Sequence, residues 1–153
     1  MAGIDRADPV ILGHILVQHR ELFDQITTIR GCLAAPWDAG ATSACEAAKA
    51  LRSLREHLAG HFCQEECGGF LEESIARMPR LSGAVKAILR QHPSLLAELD
   101  ALIESVSARN LSPEDWIRAG RAFEQFSANM AVHERDENRV VQEGYNEDLG
   151  LVE

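Results

Sequence analysis

Residues 61–67 read HFCQEEC, with His61 and Glu65 four positions apart inside a helix-forming run. Residues 133–138, HERDEN, repeat the pair with His133 and Glu137. An α-helix turns about 100° per residue, so positions i and i+4 lie about 40° apart on one face. His61 and Glu65 share the face that carries Leu51, Leu54 and Leu58, while His133 and Glu137 continue the stripe of Phe126 and Met130. Both stripes read as the buried side of a helix. Two histidine–carboxylate pairs are therefore expected in the interior, where a lone charge is costly and an ionised carboxylate calls for a cation.

Outward from these pairs, breakers divide the chain into four helical segments. The first runs from about Pro9 to Leu33 and opens on Asp8 and Pro9, a cap residue and a first-turn proline. Its stripe is Leu12, Ile15, Leu22, Ile26, Ile29 and Leu33. Residues 35–43, APWDAGATS, read as a loop. The second segment starts near Thr42 or Ser43, with Glu46 as capping-box partner of Ser43. It ends before MPRLS, residues 78–82, where Pro79 breaks it, and Gly68-Gly69 weakens or kinks it earlier. The third starts near Ser82 and carries Val85, Leu89, Leu95, Leu96, Leu99, Leu102 and Val106, with Pro93 predicting a kink or break. The fourth follows NLSPEDW, residues 110–116, where Ser112, Pro113, Glu114 and Asp115 make a helix start. It carries Trp116, Phe123, Phe126, Met130, Val140 and Val141, and the closing NEDLGLVE is expected to fray. No alternating strand pattern is present. The expected architecture is all-α: an up-down-up-down four-helix bundle in one domain, residues 1–153.

Composition narrows the partners. A hydrophobic fraction of 46% and a charged fraction of 25% are those of a soluble globular chain. The net charge of −9 provides no electrostatic footprint for nucleic acid or for an anionic membrane surface. No apolar run reaches membrane-spanning length, and MAGIDRADPV is too polar and acidic for a signal or transit peptide, so a cytoplasmic location is expected. Four cysteines without C-x-x-C spacing read as thiols rather than as a disulfide framework.

The first and third segments each place one histidine in their own stripe. His19 lies between Ile15 and Leu22, and His92 lies between Leu89 and Leu95 or Leu96. Each follows a glutamine, QHREL against QHPSL. His19 to His61 is 42 residues and His92 to His133 is 41, about one helix–loop–helix unit. The chain reads as two similar hairpins, each contributing a histidine and then a His-x-x-x-Glu. His19, His61, Glu65, His92, His133 and Glu137 can thus lie at one level of an antiparallel bundle. Imidazole suits iron, zinc, copper or nickel, and carboxylates bridge pairs of ions. Two bridging glutamates with two histidines per ion leave coordination positions open for an outside ligand. Which histidine serves which ion stays open at this level.

This constellation resembles the hemerythrin-like family, the HHE cation-binding domains. HFCQEE is similar to the family's second-helix His-x-x-x-Glu-Glu motif, and the six matching residues spread the resemblance over nearly the whole chain. The resemblance implies a non-haem di-iron centre, oxo- or hydroxo-bridged, held by the six residues as metal ligands. It implies binding or sensing of dioxygen, nitric oxide or peroxide, or reaction with them. Oxygen-carrying members have a further histidine one turn along the third helix and a His-x-x-x-x-Asp on the fourth. Here those positions are Leu96 and Asn138, which points away from plain oxygen carriage and toward the subgroup with four histidines and two glutamates. Iron-sulfur repair members of that subgroup often carry a cysteine-rich N-terminal domain, which is not read in these residues. Other readings are a di-iron enzyme, whether peroxidase, nitric oxide reductase-like or repair; a sensor acting on a protein partner in trans; and a structural module filled with zinc. A ferritin-like site needs Glu-x-x-His, and no histidine here has a glutamate three residues before it.

The remaining candidates have plainer readings. His57 edges the bundle, with spacing that also suits an extra ligand, and His14 reads as a surface residue. Glu66 is either solvated or holds a ligand imidazole's other N–H. Cys63 and Cys67 point away from the ligand side, on an outer flank. Cys32 and Cys45 flank the first loop and read as ordinary thiols. Gly68 marks a kink or opens a channel. Phe23, Phe123, Phe126 and Met130 read as core, and Tyr145 lies two turns past Glu137.

Overall fold

A computed structural model describes residues 9–37, 42–67, 71, 75–76 and 78–148. Its long helices are α1 (Pro9–Ala34), α2 (Thr42–Cys67), α3 (Ser82–Val106) and α4 (Pro113–Asp148), and a 3-10 turn at Pro79–Leu81 leads into α3. Among the described residues there is no strand, and no helix is long and apolar enough to cross a membrane. Gly68 lies outside the described residues, as do the side chains of His14 and Tyr145.

Each helix buries the stripe its spacing implies. Leu22, Ile26, Ile29 and Leu33 face inward from α1; Leu51, Leu54 and Leu58 from α2; Leu95, Leu99, Leu102 and Val106 from α3; and Phe123, Phe126 and Met130 from α4. These side chains form one large apolar cluster. A second, smaller cluster joins Leu71, Met78, Leu81, Val85, Ile88, Val140 and Val141. The histidines and glutamates lie between the two. His92 separates Ile88 from Leu95, and His133 and Glu137 separate Met130 from Val140.

Every helix packs on its neighbour in sequence, and α1 also packs on α4. Polar pairs record the register. Arg55 meets Asp100 at 2.9 Å while Arg52 meets Ser107, so numbers rise along α2 as they fall along α3. Gln91 pairs with Asp136 and Glu98 with Asn129, giving the same opposed order for α3 and α4. Arg30 reaches Glu124 at 2.7 Å between α1 and α4. The arginine pairs are exposed, and each contributes little energy. At the first loop the buried Trp116 donates its indole N–H to the carbonyl of Ala35 at 3.0 Å, and its ring lies against Trp37.

One expectation is narrowed and one corrected. Of the kink or break expected at Pro93, the break does not occur: α3 runs through the proline, which lies on the exposed side. Phe23 is not core: it is 61% exposed, because it sits one residue, about 100°, off the Leu22 stripe.

The start of α4 is held by a reciprocal cap. The backbone N–H of Ser112 donates to Asp115 Oδ2 at 3.0 Å, and the N–H of Asp115 donates to Ser112 Oγ at 3.1 Å. The Ser112 backbone N–H, then its side chain, hold the Asp115 carboxyl below its ordinary value of 3.8. Ser112→Ala should lower stability by about 1 kcal/mol, seen as a lower urea midpoint at unchanged slope. The Asp115 contribution is present above pH 3.8 and is lost as pH falls through the lower folded value. The gap between wild type and variant should therefore narrow in acid.

Candidate metal centre

Six side chains meet where the apolar stripes are interrupted: His19 from α1, His61 and Glu65 from α2, His92 from α3, and His133 and Glu137 from α4. All are buried, with the two glutamates only 2% and 1% exposed. They form two groups that share both carboxylates. One is His19, His61, Glu65 and Glu137; the other is Glu65, His92, His133 and Glu137. Within each group the donor atoms lie within 4.8 Å of one another. α1 and α2 thus supply one histidine pair, with Nε2 atoms 3.1 Å apart, and α3 and α4 supply the other, with ring centroids 4.9 Å apart. Glu65 turns Oε1 to His61 and His19, and Oε2 to His92 at 3.1 Å. Glu137 turns Oε1 to His19 at 3.2 Å and Oε2 to His133 at 3.3 Å. Each carboxylate spans both pairs, one oxygen to each.

The donor set fits metal. Both oxygens of Glu65, both oxygens of Glu137, and Nε2 of His92 and His133 are buried without a hydrogen-bond partner. An unsatisfied buried polar atom costs about 1–3 kcal/mol, more when charged. Carboxylate oxygens and neutral imidazole nitrogens are all electron-pair donors, and at these distances they repel unless a proton or cation lies between them. Two atoms bound to one ion at about 2.1 Å sit roughly 3 Å apart at a right angle, which is close to the spacing here. Each group, with two imidazoles and two carboxylate oxygens, could therefore hold a metal ion. Iron and zinc both accept that set.

A second ring of contacts aims the imidazoles. His61 donates Nδ1–H to Gln18 Oε1 at 2.7 Å, and His133 donates Nδ1–H to Gln91 Oε1 at 2.7 Å. His92 donates Nδ1–H to Glu66 Oε1 at 3.0 Å. A proton on Nδ1 leaves the lone pair of a neutral ring on Nε2, the nitrogen facing the interior. Gln18 is tied in turn to Gln64, and Gln91 to Asp136. Phe62 stacks flat on His92, with centroids 3.8 Å apart and planes within 6°, and meets His133 edge-on. It walls the site on the side of the large apolar cluster.

Electrostatics describes the same cluster without metal. Burial opposes protonation of His19, but the carboxylates of Glu137 and Glu65 outweigh it and raise its pKa to about 10. Burial works likewise against ionised Glu65, yet His19, His61 and His92 hold its carboxyl well below the usual range. His92 is raised against burial by Glu65 and Glu66. The metal-free cluster keeps protons where a cation would otherwise sit. Glu134, next to His133, is half-buried; burial raises its carboxyl, against the pull of His19. It lines an open groove between α1 and α4 together with Phe23, Ala131 and Asn138.

The structure brings together all six residues picked from the sequence and divides them into pairs that spacing left open. Glu66 takes the second of its two readings and holds an imidazole N–H. His57 stays at the edge, bonded through Nδ1 to Gln25 and outside both groups. Leu96 and Asn138 are outside both groups too, and Asn138 is exposed. Sequence reasoning missed Gln18, Gln91, Phe62 and Glu134. The repeated Gln-His dipeptide was the available signal for the glutamines. Comparison with protein-family models, curated proteins and solved structures finds no match to this chain.

Two outcomes follow. Gln91→Leu frees the His133 ring and should weaken metal affinity by roughly 10- to 100-fold at unchanged helix content; His57→Ala, in the same competition titration, should change nothing. The pH dependences should have opposite signs. His19 is raised from 6.5 to about 10, so its contribution to the metal-free fold is complete below pH 6.5 and is lost as pH rises toward 10. Metal must displace that proton, so affinity should climb over the same interval. Melting temperature and zinc affinity, measured across pH 6.5 to 8.5, should move in opposite directions; parallel slopes would contradict the assignment.

Proposed function

We propose that this chain is a hemerythrin-like, up-down-up-down four-helix bundle whose interior holds a di-iron centre that binds or senses dioxygen, nitric oxide or peroxide. The reading is supported foremost by the two carboxylates, each with one oxygen directed at each histidine pair and none of those oxygens hydrogen-bonded. Such a pair bridges two ions. His19 and His61 would serve one ion, His92 and His133 the other, with Glu65 and Glu137 shared. The opposed register of neighbouring helices supports the bundle topology.

When bound, a di-iron pair would supply redox-active ions with coordination positions to spare, since four protein donors per ion do not fill an octahedral shell. The chain's own residues would do the rest. Gln18, Gln91 and Glu66 keep three rings turned with Nε2 inward. Phe62 and the apolar stripes exclude water on one side. An open groove lined by Glu134, the neighbour of His133, lies at the surface between α1 and α4.

The test is spectroscopic. Chain loaded with ferrous iron under anaerobic conditions should develop near-ultraviolet bands on exposure to air, and further changes with nitric oxide or hydrogen peroxide. Glu137→Ala, folded by circular dichroism, should lose them. Loading with zinc alone and a featureless spectrum under every gas would leave a structural metal module in place of a ligand-binding one.

A further inference from the structure

The last turn of α2 carries a second reactive group, distinct from the metal donors. Cys63 and Cys67 are both exposed and not disulfide-bonded, and their Sγ atoms are 3.9 Å apart. Their separation in sequence is that of His61 and Glu65, but displaced by two residues, which turns them to solvent. Residues four apart in a helix have Cβ atoms about 5–6 Å apart, wider than the roughly 3.5–4.5 Å of a disulfide, so the turn between the two cysteines must rearrange for the bond to form. Bonding requires the sulfurs to close by about 1.9 Å, and the turn that must adjust, Cys63 to Cys67, is the last described turn of α2. Cys45 is also exposed and Cys32 half-buried, but among the described residues neither is paired with another thiol.

We infer that Cys63 and Cys67 form a reversible dithiol–disulfide site, oxidised by a hydroperoxide and reset by a thiol reductant. The thiolate of one cysteine attacks the peroxide oxygen, breaks the O–O bond and becomes a sulfenic acid as the alcohol or water leaves. The neighbouring thiol then attacks that sulfur, the S–S bond forms, and the sulfenic oxygen leaves as water. Two thiols and one peroxide give one disulfide, one water and the alcohol or a second water. The reductant reverses the bond through a mixed disulfide.

The position gives the bond a consequence. The three residues it would clasp are Gln64, Glu65 and Glu66. Gln64 is bonded to Gln18, which orients His61; Glu65 belongs to both donor groups; Glu66 orients His92. The thiol pair therefore sits on the turn that presents much of the candidate centre. The chemistry itself needs no metal.

The full chain, stripped of metal with chelator, should be treated with stoichiometric hydrogen peroxide, quenched with catalase, alkylated in denaturant and mapped by mass spectrometry. The expected product is one peptide carrying a Cys63–Cys67 bond, with Cys32 and Cys45 alkylated, and full alkylation of all four after dithiothreitol. Cys63→Ser should abolish the bond without creating another. Four alkylated cysteines after peroxide, oxygen added to one sulfur without a bond, or a bond between chains would each overturn the inference. Because metal is absent from the assay, such a failure leaves the di-iron reading standing, and a failure of that reading leaves this one.

Discussion

Two buried carboxylates and four buried imidazoles face one another with too few hydrogen-bond partners, and the rest of the fold is arranged around that cluster. They form a polar layer between two apolar clusters. Hydrophobic burial on either side can outweigh the repulsion inside the layer in the total, but it cannot remove it. Only charge of the opposite sign, placed among the donors, can do so. Protons serve in the metal-free chain, as the raised His19 and depressed Glu65 indicate. Divalent ions would serve better, because each would neutralise more charge and accept several lone pairs at once. Any metal that binds among these donors would for that reason be coupled to folding.

The layer is built twice. α1 with α2, and α3 with α4, each bring one histidine, then a histidine and a glutamate one turn later. The glutamine before the first histidine of each half fixes the ring of the second, at the same 2.7 Å in both. The halves differ where the first histidine is concerned. His92 has Glu66 on its Nδ1 and Phe62 flat against its ring, whereas His19 faces both Glu65 and Glu137 through Nε2. The two candidate ion positions are thus similar in donors and unequal in surroundings.

Much of this was legible in the sequence because helix periodicity converts spacing into direction. Four-residue spacing put His61 with Glu65 and His133 with Glu137 on faces already marked as interior by leucine and phenylalanine. The start near Ser82 and the Ser112–Asp115 cap lie close to the helix starts observed, whereas α2 is described only to Cys67, short of the end expected before Pro79. Periodicity is silent about what lies across a helix interface. The pairing of His19 with His61, and the bonds from Gln18 to His61 and Gln91 to His133, join residues more than forty positions apart and depend on how neighbouring helices are registered. Phe23 was misread because hydrophobicity was weighed without its angle: it adjoins the Leu22 stripe and faces solvent. Of the two outcomes Pro93 allowed, the break is absent, because a proline removes one hydrogen bond and the rest of α3 continues past it.

The most direct test of the account is the metal stoichiometry of the folded chain. Protein refolded with excess ferrous iron without oxygen, desalted and submitted to elemental and amino-acid analysis should carry two ions per chain, one for each donor group. One ion per chain would contradict the shared-carboxylate arrangement. No retained metal, with the helices intact, would mean that the polar layer is held by its own protons and is not a metal centre.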